Sequence, residues 1–383
     1  MSETRDEKTP TGDGKTPSPV VQSFNEWDPL EEVVVGTVRG AMYPECSPIQ
    51  AAAGEPEWLW HYQGVLVEES FVQPAHEQLE RLVRVLQAEG VTVRRPDPMP
   101  LNVGFSTPYW QSRSSWNTAN PRDLFLVVGD EIIECASPMR NRHFESLAYR
   151  RLFTEYFRGG ARLTAAPRPA LRDGFYDHNC RVTGEHGESD LGKRILPEGT
   201  AHRYPITEQE PVFEAADFVR CGRDLFVTRS LVTNELGIEW VRRHLGPGFR
   251  VHEIQTRCLT PCHIDTTFVP LAPGKVLVNP DWVTELPECV RKWDVLVAPR
   301  PSYLPGSPMA HPQFTSQWLS MNVLSIDPER VLVDAQQTEL IRKLKDWGFR
   351  PIPIPFDHVG PFGGSFHCAT LDVRRRGQLE SYF

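Results

Sequence analysis

The chain has 383 residues, 40% of them apolar and 24% charged, with a formal net charge of −9. That is ample material for a core and excludes a disordered protein; the length fits two average domains or one large architecture. The acidic balance, without any long basic run, argues against nucleic acid or an anionic membrane as partner, and no apolar run approaches a membrane span.

Met1 to Gln22 are rich in Ser, Thr, Pro and charge, without the apolar centre of a signal peptide. Glu3, Asp6, Glu7 and Asp13 do not suit an acid-poor mitochondrial presequence. The stretch 1–22 reads as a disordered tail on a cytoplasmic protein, with a single domain over 23–383. Eight cysteines (46, 135, 180, 221, 258, 262, 289 and 368) are scattered without disulfide-like spacing, which suits a reducing compartment. The 35 prolines favour many short elements joined by rigid turns.

Taken in order, one local pattern recurs: a strand, a turn, a second strand, an amphipathic helix and one more short strand. The first unit is the least regular, with a strand over 30–36, a helix over 74–89 whose apolar face holds Leu79, Leu82, Val83 and Leu86, and a strand over 91–93. The second begins at Asp123, with strands over 124–128 and 131–134 about a Gly129-Asp130 turn, then a helix near 143–157. The third begins at Asp217, with strands over 218–220 and 225–228, a helix over 234–245 and a strand over 249–254. The fourth begins at Asp265, with strands over 266–270 and 276–279, a short helix near Cys289 and a strand over 295–298. The fifth begins at Asn322, with strands over 323–326 and 331–334, a helix over 338–347 and a strand over 350–354. Cys368 then opens a last strand, expected to complete the first unit and close a ring.

Repeated ββαβ units imply an internal repeat and not a doubly wound sheet. The expected fold is a five-bladed α/β propeller of pseudo-fivefold units around a central channel, closed so that no sheet edge is left open. Its geometric consequence is that the residues opening each hairpin, namely Asp123, Asp217, Asp265, Asn322 and Cys368, converge on one place.

Cys368 follows Gly363-Gly364-Ser365-Phe366-His367, where the glycines let the backbone turn. The string alone also fits a buried structural cysteine. Converging carboxylates around one thiol suit a flat cation, and a guanidinium fits best because its N–H fork pairs bidentately with carboxylates. Cys368 would then be a nucleophile under the electron-poor carbon, and the departing amine needs a general acid. His263, two residues before Asp265, is the candidate, with both side chains expected on one strand face. Glu214, in the approach to the preceding unit, is the carboxylate expected to orient it. His367 is disfavoured as a base because neighbouring strand residues face opposite sides. The Cys258, Cys262 and His263 group has no second Cys/His pair at metal spacing, so neither metal nor cofactor is expected. Arg374-Arg375-Arg376 reads as a solvated or ion-paired strand end.

Several strings carry a resemblance: FNEWDPLEEVVVGT at 24–37, VTVRRPDP at 91–98, PRDLFLVVGDEIIE at 121–134, FEAADFVR at 213–220, NELGIEWVRRHL at 234–245, HIDTTF at 263–268, WLSMNVL at 318–324 and GSFHCATLDVRRRG at 364–377. With these the chain resembles the amidinotransferase family of the guanidino-group-modifying (pentein) superfamily, which includes arginine:glycine amidinotransferase and enzymes of the streptomycin and cylindrospermopsin pathways. The resemblance implies a five-bladed propeller and ping-pong transfer of an amidino group from L-arginine, without cofactor, in a homodimer. It implies Cys368 as nucleophile, His263 as acid/base supported by Glu214, and Asp123 and Asp265 as the carboxylates on the guanidinium. Thr315 and Ser316 match serines that contact the substrate's amino-acid end. Two positions depart from the vertebrate-type glycine enzyme: Trp282 stands where it has a carboxylate-binding arginine, and Cys262 where it has methionine. Glycine, giving guanidinoacetate and L-ornithine, is the default acceptor; lysine, another amino acid or an aminocyclitol stays open. So does a hydrolase of the arginine deiminase type giving citrulline, or a non-catalytic ring-shaped binding scaffold.

Overall fold

In the computed structural model, which describes residues 19–54, 59–180, 195–312 and 315–383, most strands gather into five three-stranded sheets of one design. In each, the middle strand pairs antiparallel with one neighbour and parallel with the other. The first sheet has Leu30–Val35 (β1) in the middle, Thr92–Arg94 (β2) parallel to it and the last strand of the chain antiparallel to it. The second holds Phe125–Val128 (β3), Glu131–Glu134 (β4) and Arg162–Ala165 (β5). The third holds Phe218–Cys221 (β6), Asp224–Val227 (β7) and Arg250–Glu253 (β8). Phe268–Ala272 (β9), Lys275–Val278 (β10) and Asp294–Val297 (β11) make the fourth. Leu324–Ser325 (β12), Arg330–Asp334 (β13) and Arg350–Ile354 (β14) make the fifth. The expected closing strand is Thr370–Arg375 (β15), with Thr370 opposite Val35 and Asp372 opposite Val33.

Helices lie where a parallel crossover needs them. Glu69–Ala88 (α1) serves the first sheet, Arg150–Arg158 (α2) the second, Glu235–Leu245 (α3) the third and Thr338–Asp346 (α4) the fifth. The fourth crossover holds only a 3₁₀ turn, Glu288–Val290. Helix α1 starts five residues before the sequence expectation and runs through Pro74. The proline removes one backbone bond, but the buried stripe of Val72, Ala75, Leu79, Leu82 and Leu86 crosses it and outweighs that loss. Helix α2 is shorter than expected because residues 140–142 and 145–149 form 3₁₀ turns. Helix α3 is capped by Asn234, whose side chain accepts the Gly237 N–H at 2.8 Å.

Among the described residues, five apolar clusters each bridge two sheets, and a further one, around Ile49, Phe175 and Val212, packs the segments outside those sheets. One joins Val34 and Leu371 of the first sheet to Phe125 and Ile132 of the second, and another joins Val128 and Ile133 to Leu225 and Val227 of the third. A third joins Phe226 to Phe268 and Val276, and a fourth joins Leu277 to Val331 and Val333. The last returns from Leu332 and Ile354 of the fifth sheet to Val33 and Val35 of the first, with the stripe of α1 between.

Residues 1–18, most of the expected tail, lie outside the described residues. Val21 and Gln22, which that expectation included, belong to the folded part: Val21 is buried, and the Gln22 N–H donates to the Val373 carbonyl at 2.9 Å. Among the described residues no helix is long and apolar enough to cross a membrane.

Candidate active site

The residues that open each unit sit in short turns, one step before the strand. Asp123 lies in a single helical turn, Pro121–Leu124, with proline at its start. Asp217 and Asp265 end or centre the 3₁₀ turns Ala215–Asp217 and Ile264–Thr266, and Asn322 follows the turn Gln317–Met321. Cys368 lies in the turn before β15. These turns shorten the strands expected to start at 266 and 323. They also place His263 outside any strand, so it does not share a strand face with Asp265. His263 takes φ 67° and ψ 132°, a left-handed region that costs a side-chain-bearing residue about 1–3 kcal/mol.

The nucleophile's turn is held from several sides. Asn322 Oδ1 accepts the N–H groups of Ser365, His367 and Cys368 at 3.2, 3.0 and 3.1 Å, and its Nδ2 donates to Cys368 Sγ at 3.2 Å. The Arg122 N–H donates to the Cys368 carbonyl at 3.3 Å, tying in the Asp123 turn. Gly364 is required here: a Cβ on it would stand 2.3 Å from Cys368 Cβ.

A cavity of about 190 Å³ lies over this point, lined by Asp123, Arg142, Glu214, His263, Asp265, Trp282, Thr315 and Ser316 among others. Cys368 Sγ is 3.2 Å from Asp265 Oδ2 and is buried. Asp123, His263 and Cys368 bring an oxygen, a ring nitrogen and the sulfur within 4.8 Å of one another. His263 Nε2 bonds Glu214 Oε2 at 2.8 Å, and its Nδ1 is 3.7 Å from Asp123 Oδ1. Arg142 Nη1 donates to Asp123 at 2.8 Å and reaches Glu214 at 3.2 Å, while its Nε donates to Glu145 at 2.9 Å. The Ser137 hydroxyl donates to Glu214 Oε1 at 2.5 Å. Of the two acids lining the cavity beside the sulfur, one oxygen each, Asp123 Oδ1 and Asp265 Oδ1, is buried without a hydrogen-bond partner.

Electrostatics sort these groups. Burial would raise Glu214, but the Arg142 guanidinium and the bond from His263 hold it at about 2, a carboxylate. Burial works against a charged His263, yet the Cys262 sulfur and Asp123 hold its imidazole well above the usual range, so it carries a proton at neutral pH. Burial pushes the Cys368 thiol up and the Asp265 charge adds to that, outweighing the neighbouring imidazolium. Asp265 stays low against burial because of its bond from His367. Asp123 is raised by burial, in spite of His263 and Arg142.

The sequence-expected residues Cys368, His263, Glu214, Asp123, Asp265, Thr315 and Ser316 therefore come together, with Thr315 and Ser316 at the cavity wall. Trp282 lines the same wall, 6.2 Å from the Trp318 ring. Asp217, another of the converging carboxylates expected on the substrate cation, does not line the cavity: its Oδ2 accepts the Ser230 and Thr233 hydroxyls at 2.6 and 2.5 Å, and its Oδ1 is buried without a hydrogen-bond partner. The Thr233 hydroxyl in turn accepts the Glu214 N–H at 3.1 Å, so Asp217 anchors the acid that orients His263. Arg142 escaped the sequence reading because an arginine in a polar stretch looks like a solvated surface residue. Its one cue is the density of buried acids that a single cation must neutralise. His367 was set aside on strand alternation, which does not apply in a turn; its Nδ1 meets Asp265 at 2.8 Å. Arg375, in the expected ion-paired strand end, is buried against Asp372.

This arrangement presents a nucleophile, a charged acid beside it and two carboxylate oxygens with spare lone pairs. A metal ion at Asp123, His263 and Cys368 would need the proton that His263 carries to leave its ring and would need the buried thiol deprotonated, whereas a flat organic cation supplies N–H donors for both free oxygens with His263 still protonated. No family model matches the chain. It is 43% identical over 373 residues to an L-arginine:L-lysine amidinotransferase from Pseudomonas savastanoi pv. phaseolicola, covering 95% of this chain and 97% of that one. It is 43% identical over 370 residues to a mitochondrial glycine amidinotransferase from Gallus gallus, covering 95% of this chain and 85% of the other. Among solved structures, an amidinotransferase of the saxitoxin biosynthetic pathway from Microseira wollei superposes with a TM-score of 0.85 at 49% identity, over 95% of this chain and 99% of that one.

Proposed function

The chain belongs to the amidinotransferase family, and on that footing we propose that Cys368 carries the amidino group between an L-arginine donor and an amine acceptor. The observation that carries this reading is the pair of unpartnered buried oxygens, Asp123 Oδ1 and Asp265 Oδ1, beside the Cys368 sulfur. Such atoms are costly to leave unbonded, and guanidinium N–H groups are the donors that fit.

The guanidinium binds between the two acids, and its charge offsets the carboxylates that hold the Cys368 proton on. The thiol releases that proton to water as the thiolate forms. The thiolate adds to the central carbon, giving a neutral tetrahedral centre. His263, positive and backed by Glu214, gives its proton to the ornithine nitrogen, and the C–N bond breaks. Neutral ornithine amine and a cationic S-amidino-Cys368 remain, with His263 neutral. An incoming neutral amine attacks the same carbon, His263 takes back the proton, and the C–S bond breaks to return the thiolate. The covalent intermediate divides one difficult displacement into two, and water must be excluded while it lasts. In this reading Thr315 and Ser316, which line the cavity, meet the amino-acid end of the substrate.

The five sheets, joined pairwise by core clusters that return from fifth to first, are read as a five-bladed propeller in one domain that takes in Val21 and Gln22 ahead of the expected 23–383. The acceptor is glycine, giving guanidinoacetate, or else lysine, another amino acid or an aminocyclitol; Trp282 supplies no cation for an acceptor carboxylate. A cytoplasmic homodimer without membrane or nucleic-acid partners completes the reading. An acceptor screen tests it: arginine and the right amine give ornithine and a guanidino product identified by mass. Citrulline formed at the same rate with every amine would replace transfer by hydrolysis.

A further inference from the structure

Asp265 is held by more than the nucleophile. Its Oδ2 receives Cys368 Sγ at 3.2 Å and His367 Nδ1 at 2.8 Å, which leaves Oδ1 buried and unbonded. The other ring nitrogen of His367 lies 3.2 Å from Glu26 Oε2. A histidine with a carboxylate at each nitrogen can donate to both only as an imidazolium.

The charges around this ring are Glu26 and Asp265 against its nitrogens and Arg122, whose Nε approaches the His367 carbonyl at 3.4 Å. Behind Glu26 stand Arg220, 2.8 Å from both Glu26 and Asp372, and Arg122, whose Nη2 is 2.6 Å from Asp372. Glu26 and Asp372 are thus met by arginines, while His367, which does not line the cavity, is the cation whose ring contacts Asp265. Removing it would leave a buried acid facing the sulfur with no fixed partner but the thiol.

We propose that His367 is a positioning residue: bonded to Glu26 on one side and Asp265 on the other, its imidazolium fixes Asp265 so that one oxygen meets the sulfur and the other is left for the substrate cation. The inference rests on the reading of Asp265 as a substrate carboxylate. It assigns His367 no contact with substrate. Its charge keeps Asp265 ionised, which strengthens cation binding, and it limits the repulsion between that acid and the thiolate when the guanidinium arrives.

The test compares two alkylating agents that reach Cys368, cationic chloroacetamidine and neutral iodoacetamide, across pH in the intact enzyme and in His367→Gln. Glutamine keeps a hydrogen-bond donor and loses the charge. The ratio of cationic to neutral rate constants should drop about tenfold at pH 7 in the variant, and its acid-side midpoint should move up by about one pH unit or more. Asp123, the other carboxylate on the cation, is common to both proteins and cancels in the comparison. An unchanged ratio, or equal slowing with both reagents, overturns the role of His367. No preference for the cation even in the wild type overturns the substrate reading along with it. If the variant does not fold, the imidazole ¹⁵N spectrum of the wild type decides: His367 doubly protonated at pH 7 supports the proposal, and a neutral ring overturns it.

Discussion

Cys368 Sγ lies 3.2 Å from Asp265 Oδ2, so the thiol rests its proton on an acid that also lines the cavity. Burial and that charge both disfavour the thiolate. Cys368 is therefore expected to react slowly with iodoacetamide at pH 7, with the rate still rising past the ordinary thiol value of 9.0. A plateau below pH 7, read by peptide mass at Cys368, would mean a preformed thiolate.

The two acids should separate by their effect on the sulfur. Asp123→Asn and Asp265→Asn each remove a charge-assisted bond to the guanidinium, and the KM for arginine should rise by about 10- to 100-fold, the equivalent of roughly 1.5–3 kcal/mol. Asp265→Asn should also speed alkylation by a neutral reagent near pH 8 more than Asp123→Asn does, because Asp265 touches Sγ at 3.2 Å while Asp123 stands further off, within 4.8 Å. Equal alkylation rates in the two variants would contradict the geometry.

Asp217 makes a prediction about stability. Burial raises it from an ordinary 3.8 to about 7. A folded value above the unfolded one means that its contribution is fully present below 3.8 and is lost as pH climbs through about 7. Asp217→Asn cannot ionise, so its melting temperature relative to wild type should improve between pH 5 and pH 8. Thermal melts at the two pH values check this, and a constant offset would contradict it.

Arg142 holds three buried acids, Asp123, Glu145 and Glu214. Arg142→Gln leaves them uncompensated and should cost about 3–5 kcal/mol of stability in denaturant titration. Arg142→Lys keeps the charge but not the fork, and should fall between. A glutamine variant as stable as wild type would show that those acids are protonated.

The repeat, the closing strand and the group Cys368, His263, Glu214, Asp123 and Asp265 were legible in the sequence. Period-2 strands, glycine turns and chemically distinctive residues leave local marks. What was not legible lies in the turns between strands. At His263 a left-handed backbone, and at His367 a turn before β15, break the alternation on which face assignments rest. Hence His367 and Cys368, adjacent in sequence, both reach Asp265. Arg142 is visible only once Asp123, Glu145 and Glu214, far apart in the chain, are brought to one point.

The central claim is that Cys368 becomes covalently loaded. The enzyme is mixed with arginine in the absence of any acceptor amine, quenched in acid and digested. One amidino group on the Cys368 peptide, with one equivalent of ornithine released, is the predicted result. Ornithine or citrulline accumulating over many turnovers in Cys368→Ala, or an amidino group carried on another residue, would contradict it.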